Sequence, residues 1–491
     1  MVGWESLFSG YLIFNSIQFA VFFILVLTLY FSIPHKYRWF LLLIASAYFY
    51  MSFVPIYILI LGFTICVDYV AGILIEKSSG KRRKLFLVAS ILSNVGVLAI
   101  FKYYNFLNEN LSFLMQPLGI ETNIPYLSIL LPIGLSFHTF QAMSYTIEVY
   151  RNNQRAERHF GIFSLYVLFF PQLVAGPIER PQNLLHQFRE KHSFDAERTW
   201  SGLRLMLWGF FKKVVIADRV AILVDTVYAS PSSYQGAPLI LATLFFAIQI
   251  YCDFSGYTDI AIGSARIMGI KLMENFRRPY YAKSIAEFWK RWHISLSSWF
   301  RDYVYIPLGG NRVAVPRWYL NLFIVFLISG LWHGASWTFV IWGGLHGTYL
   351  VIGLMTARFR NTLKERIGLN RIAWLNATVQ ITITTVLASF AWIFFRAANV
   401  SDAFYIATHL FTGLVRGFSE ANLGISLREI VIAMGAIVLM EIVQFVQERE
   451  GKKEFISRLP RWVRTALYIG LILIILLFGI FERRQFIYFQ F

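Results

Sequence analysis

The sequence predicts an all-α membrane protein, a polytopic transmembrane bundle of about 11–12 spans with re-entrant segments. Three observations carry this. Of 491 residues, 57% are hydrophobic and only 15% are charged, a balance that soluble domains do not have. The apolar runs approach the roughly 20 residues needed to cross about 30 Å of hydrocarbon. They are continuous rather than alternating, which excludes a β-barrel, and basic loops join them, so residues 1–491 read as one helical domain.

The formal charge of +18 would suit nucleic acid, but the excess lies in short loops beside apolar runs. There Lys and Arg mark the cytoplasmic side, so the charge reads as topology, with membrane lipids rather than nucleic acid as partners. Cys66 and Cys252 stand in separate runs without neighbours at metal-ligand spacing, so neither a disulfide framework nor a metal site is expected.

The first run, 8–32, lacks a basic n-region and a small-residue cleavage site, and is kept as a span. A second block, 39–75, breaks near Ser52 and Pro55 into a helical hairpin. Lys77, Lys81, Arg82, Arg83 and Lys84 form the clearest cytoplasmic cluster, whereas 102–125 reads as a loop with one basic residue, so the N-terminus is expected outside. The run 127–149 returns to Arg151, Arg155 and Arg158. The next, 160–178, is interrupted by Pro171 and Gly176-Pro177, and backbone left unpaired at membrane depth is tolerated only inside protein or beside a cavity. This segment is expected to be re-entrant.

The run 200–228 precedes 239–262, which carries Asp253 and Asp259, and buried carboxylates need partners. Arg266, nearly on the same helix face as Asp259, is the candidate. Residues 271–317 are basic and aromatic: Trp289, Trp292, Leu296 and Trp299 recur at helical spacing opposite Lys290, Arg291 and Arg301, the pattern of an interfacial helix on the cytoplasmic face. His293 sits beside that stripe. Runs 374–395, 429–446 and 462–481 complete the set; Lys452, Lys453, Arg458, Arg461 and Arg464 put the last loop inside and the tail 486–491 outside.

The most informative stretch is 327–347, which sets His333 between Trp332 and Gly334 in an apolar run whose two outer ends meet basic loops. By the charge rule both ends are cytoplasmic, so His333 lies at the bend of a membrane hairpin. An ionisable residue there suggests function, although an interhelical hydrogen-bonding role is the plainer reading. His138 and His346, each in an apolar run, read as packing or hydrogen-bonding residues. No Gly-x-Ser-x-Gly elbow is present, so a serine-hydrolase triad is not supported.

Several long motifs point further: Leu131-Pro-Ile-Gly-Leu-Ser-Phe-His-Thr-Phe-Gln141, Phe170-Pro-Gln-Leu-Val-Ala-Gly-Pro-Ile178, Asp253-Phe-Ser-Gly-Tyr-Thr-Asp259, Phe288-Trp-Lys-Arg-Trp-His-Ile-Ser-Leu-Ser297, Tyr305-Ile-Pro-Leu-Gly-Gly-Asn-Arg312 and Leu331-Trp-His-Gly334. Through them the chain resembles the membrane-bound O-acyltransferases, in particular the bacterial branch that O-acetylates polysaccharides such as alginate, more than the teichoic acid D-alanylation branch. The family's two signature histidines fall on His293 and His333. The resemblance implies that His333 is catalytic and that a tunnel crosses the membrane, with donor entering from the cytoplasm and acceptor from outside. It also implies a multi-pass protein of the bacterial inner membrane and a secreted or membrane-anchored SGNH-hydrolase-like partner that completes transfer onto a polysaccharide.

O-acyl transfer from a thioester needs a hydroxyl deprotonated as it attacks and a forming oxyanion stabilised. His333 suits the first task as general base; His293 could orient the donor or donate to the oxyanion. No permanently bound cofactor is expected, and acetyl-CoA or another acyl thioester is the donor substrate. Arg277, Arg278, Lys290 and Arg291 are the candidates for its phosphates, against the plainer reading that they are topology signals or lipid contacts. The competing functional class is a transporter or flippase with His333 as proton relay; a third is a non-catalytic scaffold for an extracellular enzyme.

Overall fold

A computed structural model describes residues 12–128, 132, 134–173, 176–413, 423–450, 459–481 and 486–489. The chain is a polytopic helical protein, with no strand among the described residues. Eight helices there are long and apolar enough to cross a membrane: Pro55–Lys77, Gly80–Leu118, Ala237–Ile267, Val315–His333, Trp337–Met355, Ala373–Arg396, Leu427–Arg449 and Arg461–Phe478. Shorter helices, among them Ile17–Ser32, His35–Met51 and Leu135–Tyr150, account for other apolar runs. The start of the first run, Leu131 and Ile133 of one proline-containing motif and Val174 and Ala175 of another, Lys452, Lys453 and Arg458 of the last loop, and Gln490 and Phe491 lie outside the described residues.

The chain divides into two compact units. One comprises residues 1–206, 257–273 and 488–490. In it the helix His35–Met51 stops before Pro55, whose ring opens the next helical segment, so the predicted hairpin break is where the proline requires it. The basic cluster is not in a loop. Ser78 and Ser79 are the only residues between two helices, and Lys81, Arg82, Arg83 and Lys84 fill the first turn of Gly80–Leu98. Arg83 there donates to the carbonyls of Val149 and Tyr150, at 3.0 and 2.8 Å.

The loop expected over 102–125 is largely helix, Tyr104–Met115, joined to the preceding helix through a π turn. Its Asn residues explain why composition misled: Asn105 exchanges two 2.9 Å hydrogen bonds with the backbone of Leu127, and Asn108 donates to the Ile124 carbonyl at 3.0 Å. Polar side chains that bind a neighbouring segment leave the helix intact while lowering its apolar signal.

The interrupted run 160–178 contains a nine-residue helix, Phe160–Leu168, and a single turn, Phe170–Leu173. At 1.5 Å per residue the helix is about 14 Å long, half the depth of the hydrocarbon. Side chains satisfy the broken backbone: Ser46 accepts from Phe170 N–H at 3.0 Å, and Gln172 donates to the Tyr166 carbonyl at 2.8 Å.

The other unit comprises residues 207–256, 274–487 and 491. Within it Val315–His333 and Trp337–Met355 form a hairpin whose arms meet at glycines. A Cβ on Gly330 would stand 2.3 Å from the Phe339 carbonyl oxygen, and one on Gly343 would stand 2.2 Å from that of Phe326, so only glycine permits this approach. Ala373–Arg396 packs against the second arm.

Candidate active site

His333 is the last residue of the first hairpin arm. Gly334 is extended, at φ −160°, and Ser336 starts the second arm by accepting from Thr338 N–H. The space at Gly334 is filled by Phe339, whose ring a Cβ would meet at 2.1 Å. The imidazole is 4% exposed and ringed by aromatics, Trp332 and Trp342 at 4.9 Å and Phe395 at 5.3 Å between ring centroids, all edge to face. Edge-to-face packing is an arrangement that aromatic pairs favour.

His293 reaches the same aromatic cluster from another element: its ring lies 6.4 Å from that of Trp332, which therefore stands beside both signature histidines. The sequence reading of a continuous interfacial helix is corrected here. Two short helices, Ile285–Arg291 and Ile294–Phe300, are separated at Trp292 and His293, and His293 is left-handed, at φ 41° and ψ 55°. That conformation costs a residue with a Cβ about 1–2 kcal/mol. The residue is fully buried, as is Trp292 beside it.

Backbone pairing fixes the kink: Arg277 N–H donates to the Arg291 carbonyl at 2.8 Å, and Ile294 N–H to the Asn275 carbonyl at 2.9 Å. The His293 ring is edge-on to Phe254 at 4.7 Å. Burial pushes its imidazole down to about 3, so it is neutral at physiological pH.

The basic candidates separate into two pairs. Arg278, itself left-handed at φ 44°, binds Glu448 at 2.6 Å, and Arg291 binds Glu287 at 2.7 Å and Glu448 at 2.8 Å. Arg277 is exposed and binds Glu274 at 2.7 Å, and Lys290 is exposed. His346 accepts from Trp289 Nε1–H at 3.2 Å, a hydrogen-bonding role as its apolar surroundings suggest.

Sequence reasoning missed Lys213. It lies in a π-helical stretch, Phe211–Ala217, and pairs with Asp218 at 2.8 Å and Asp253 at 2.7 Å, all three groups being 4% exposed or less. The carboxylate of Asp253 takes Lys213 and the Ile487 N–H, the latter at 2.8 Å, while Arg266 donates to Ser201 at 2.8 Å. Two adjacent lysines inside an apolar run were the available signal.

Comparison with known proteins then decides the class. A model of the MBOAT, membrane-bound O-acyltransferase family, matches residues 135–390, which contain both histidines. The chain belongs to that family. This membrane-bound O-acyltransferase is 36% identical over 444 residues to the probable alginate O-acetylase AlgI of Pseudomonas aeruginosa, covering 89% of this chain and 83% of that one. It is 36% identical to the peptidoglycan O-acetyltransferase of Helicobacter pylori, over 74% of this chain and 71% of the other. Similarity to the teichoic acid D-alanyltransferase of Streptococcus thermophilus is 30%, over 52% of this chain and 67% of the other. The acyltransferase is thus a multi-pass membrane enzyme.

Proposed function

We propose that this acyltransferase passes an acetyl group from a cytoplasmic thioester, acetyl-CoA, across the bacterial inner membrane to a hydroxyl of an exported polysaccharide or of a partner protein. The observation that carries the reading is the His333 imidazole at the tip of a span-length hairpin, enclosed by Trp332, Trp342 and Phe395. The relatives named as O-acetyltransferases match more of this chain than the D-alanyl relative does, which favours acetyl over D-alanyl.

In this mechanism His333 takes the proton of the attacking hydroxyl as its oxygen bonds to the thioester carbonyl carbon. The C–S bond then breaks, and the thiolate leaves with the proton that His333 gained. His293 contacts the donor near the reacting carbonyl. Arg277 and Lys290, the exposed members of the basic group, meet the coenzyme A phosphates, and Arg278 and Arg291 can join them where phosphate replaces Glu448. A secreted or membrane-anchored SGNH-hydrolase-like partner completes transfer to the glycan.

The test is to supply purified protein in nanodiscs with radiolabelled acetyl-CoA, D-alanyl thioester or neither, and to follow label into polysaccharide or partner. Acetyl label should be consumed and transferred. Preference for the D-alanyl donor, or movement of an uncleaved substrate with neither donor used, would overturn the reading.

A further inference from the structure

The hydrogen bonds around His293 specify which of its ring nitrogens carries the proton. Asn275 is fully buried, and its side-chain carbonyl Oδ1 accepts from Ser295 N–H at 3.1 Å and from the Ser295 hydroxyl at 2.9 Å. A backbone N–H can only donate, so the orientation of the Asn275 amide is fixed: the oxygen, not the nitrogen, faces this corner. His293 Nδ1 lies 3.2 Å from the same oxygen. Two lone pairs would repel at that distance, whereas an Nδ1–H would donate. A neutral imidazole with hydrogen on Nδ1 has its lone pair on Nε2.

We propose that Asn275 is a positioning residue for acyl transfer: its side-chain oxygen holds His293 in the Nδ1–H tautomer and in its left-handed turn, so that Nε2 acts as a hydrogen-bond acceptor. This rests on the reading that His293 takes part in the reaction. It narrows that part. An Nε2 lone pair cannot donate to an oxyanion; it receives a hydrogen bond from an O–H or N–H group of the substrate, the attacking hydroxyl or an amide of the thioester's pantetheine arm. The oxyanion must then be met by another donor. The same asparagine also holds the backbone just after the kink, through its own carbonyl to Ile294 N–H and its side chain to Ser295 N–H. One side chain thereby sets ring position and proton position together, the arrangement that lets a neighbour govern a reactive histidine.

The experiment combines histidine 15N solid-state NMR of the protein in lipid with acetyl transfer from acetyl-CoA. The His293 signals are those lost in His293→Gln. The wild type should show a protonated Nδ1 and an unprotonated Nε2. Asn275→Asp, which keeps an acceptor in place, should retain that pattern and most of the transfer. Asn275→Leu should lose the pattern and lower kcat about 10- to 100-fold while the folded fraction, followed by thermal unfolding, is retained. An Nε2–H tautomer in the wild type would overturn the proposal without any Asn275 variant having to fold, as would Asn275→Leu with wild-type tautomer and rate. The two layers separate cleanly. Full transfer by His293→Ala would remove the histidine from the reaction altogether, whereas transfer lost in His293→Ala but intact in Asn275→Leu would overturn only the positioning role.

Discussion

Lys213 shares a space that water does not reach with two carboxylates, those of Asp218 and Asp253. Removing the Lys213 cation leaves two buried carboxylates without it, and breaking such a set from one side costs about 3–5 kcal/mol. Lys213→Met should therefore lower the thermal midpoint in detergent sharply, and Lys213→Met combined with Asp253→Asn should recover part of the loss; equal stability of wild type and single variant would show that the set is not a structural ion network. His293 and His333 were legible in the sequence because an imidazole among tryptophans stands out and because the motifs around them are long. Lys213 was not, since a charge reads as a break in an apolar run until its partners are known, and one of them, Asp253, is 40 residues away in sequence. The left-handed turn at His293 was equally hidden: an aromatic period of three and four fits one helix as well as two short ones that meet at a kink.

At the scale of elements, the His333 hairpin depends on how closely its arms approach. Gly343 and its neighbour make a direct comparison, because a Cβ on Gly343 would lie 2.2 Å from a backbone oxygen whereas one on Gly344 would meet only a Leu327 methyl, at 3.7 Å. Gly343→Ala should force the arms apart at a cost of about 1–3 kcal/mol and displace His333 from its aromatic enclosure, lowering both thermal stability and transfer. Gly344→Ala should leave both near wild type; a similar loss in the two variants would point to backbone freedom rather than close packing. Hydropathy located this hairpin and its bend, because each arm is a long apolar run. It missed the helix Tyr104–Met115, whose asparagines serve the neighbouring segment and dilute the apolar pattern.

Across the whole molecule, the distribution of charge sets orientation. The cluster Lys81, Arg82, Arg83 and Lys84 opens a helix, where four cations oppose the helix dipole at a cost in local helix stability. A cysteine at Lys81, in a background without Cys66 and Cys252, should react only with reagents that enter the cytoplasm; labelling of intact cells by an impermeant reagent would reverse the topology. In the proposed mechanism the donor then meets the cytoplasmic face, and the chemistry falls to His333 at the hairpin tip. The account is tested most directly by single-turnover transfer from radiolabelled acetyl-CoA in nanodiscs, comparing wild type with His333→Gln at matched folded fraction. Loss of a general base typically costs about 100- to 10,000-fold, so His333→Gln should bind acetyl-CoA with near wild-type affinity and fail to consume it. Transfer at close to the wild-type rate by a folded His333→Gln protein would contradict the mechanism.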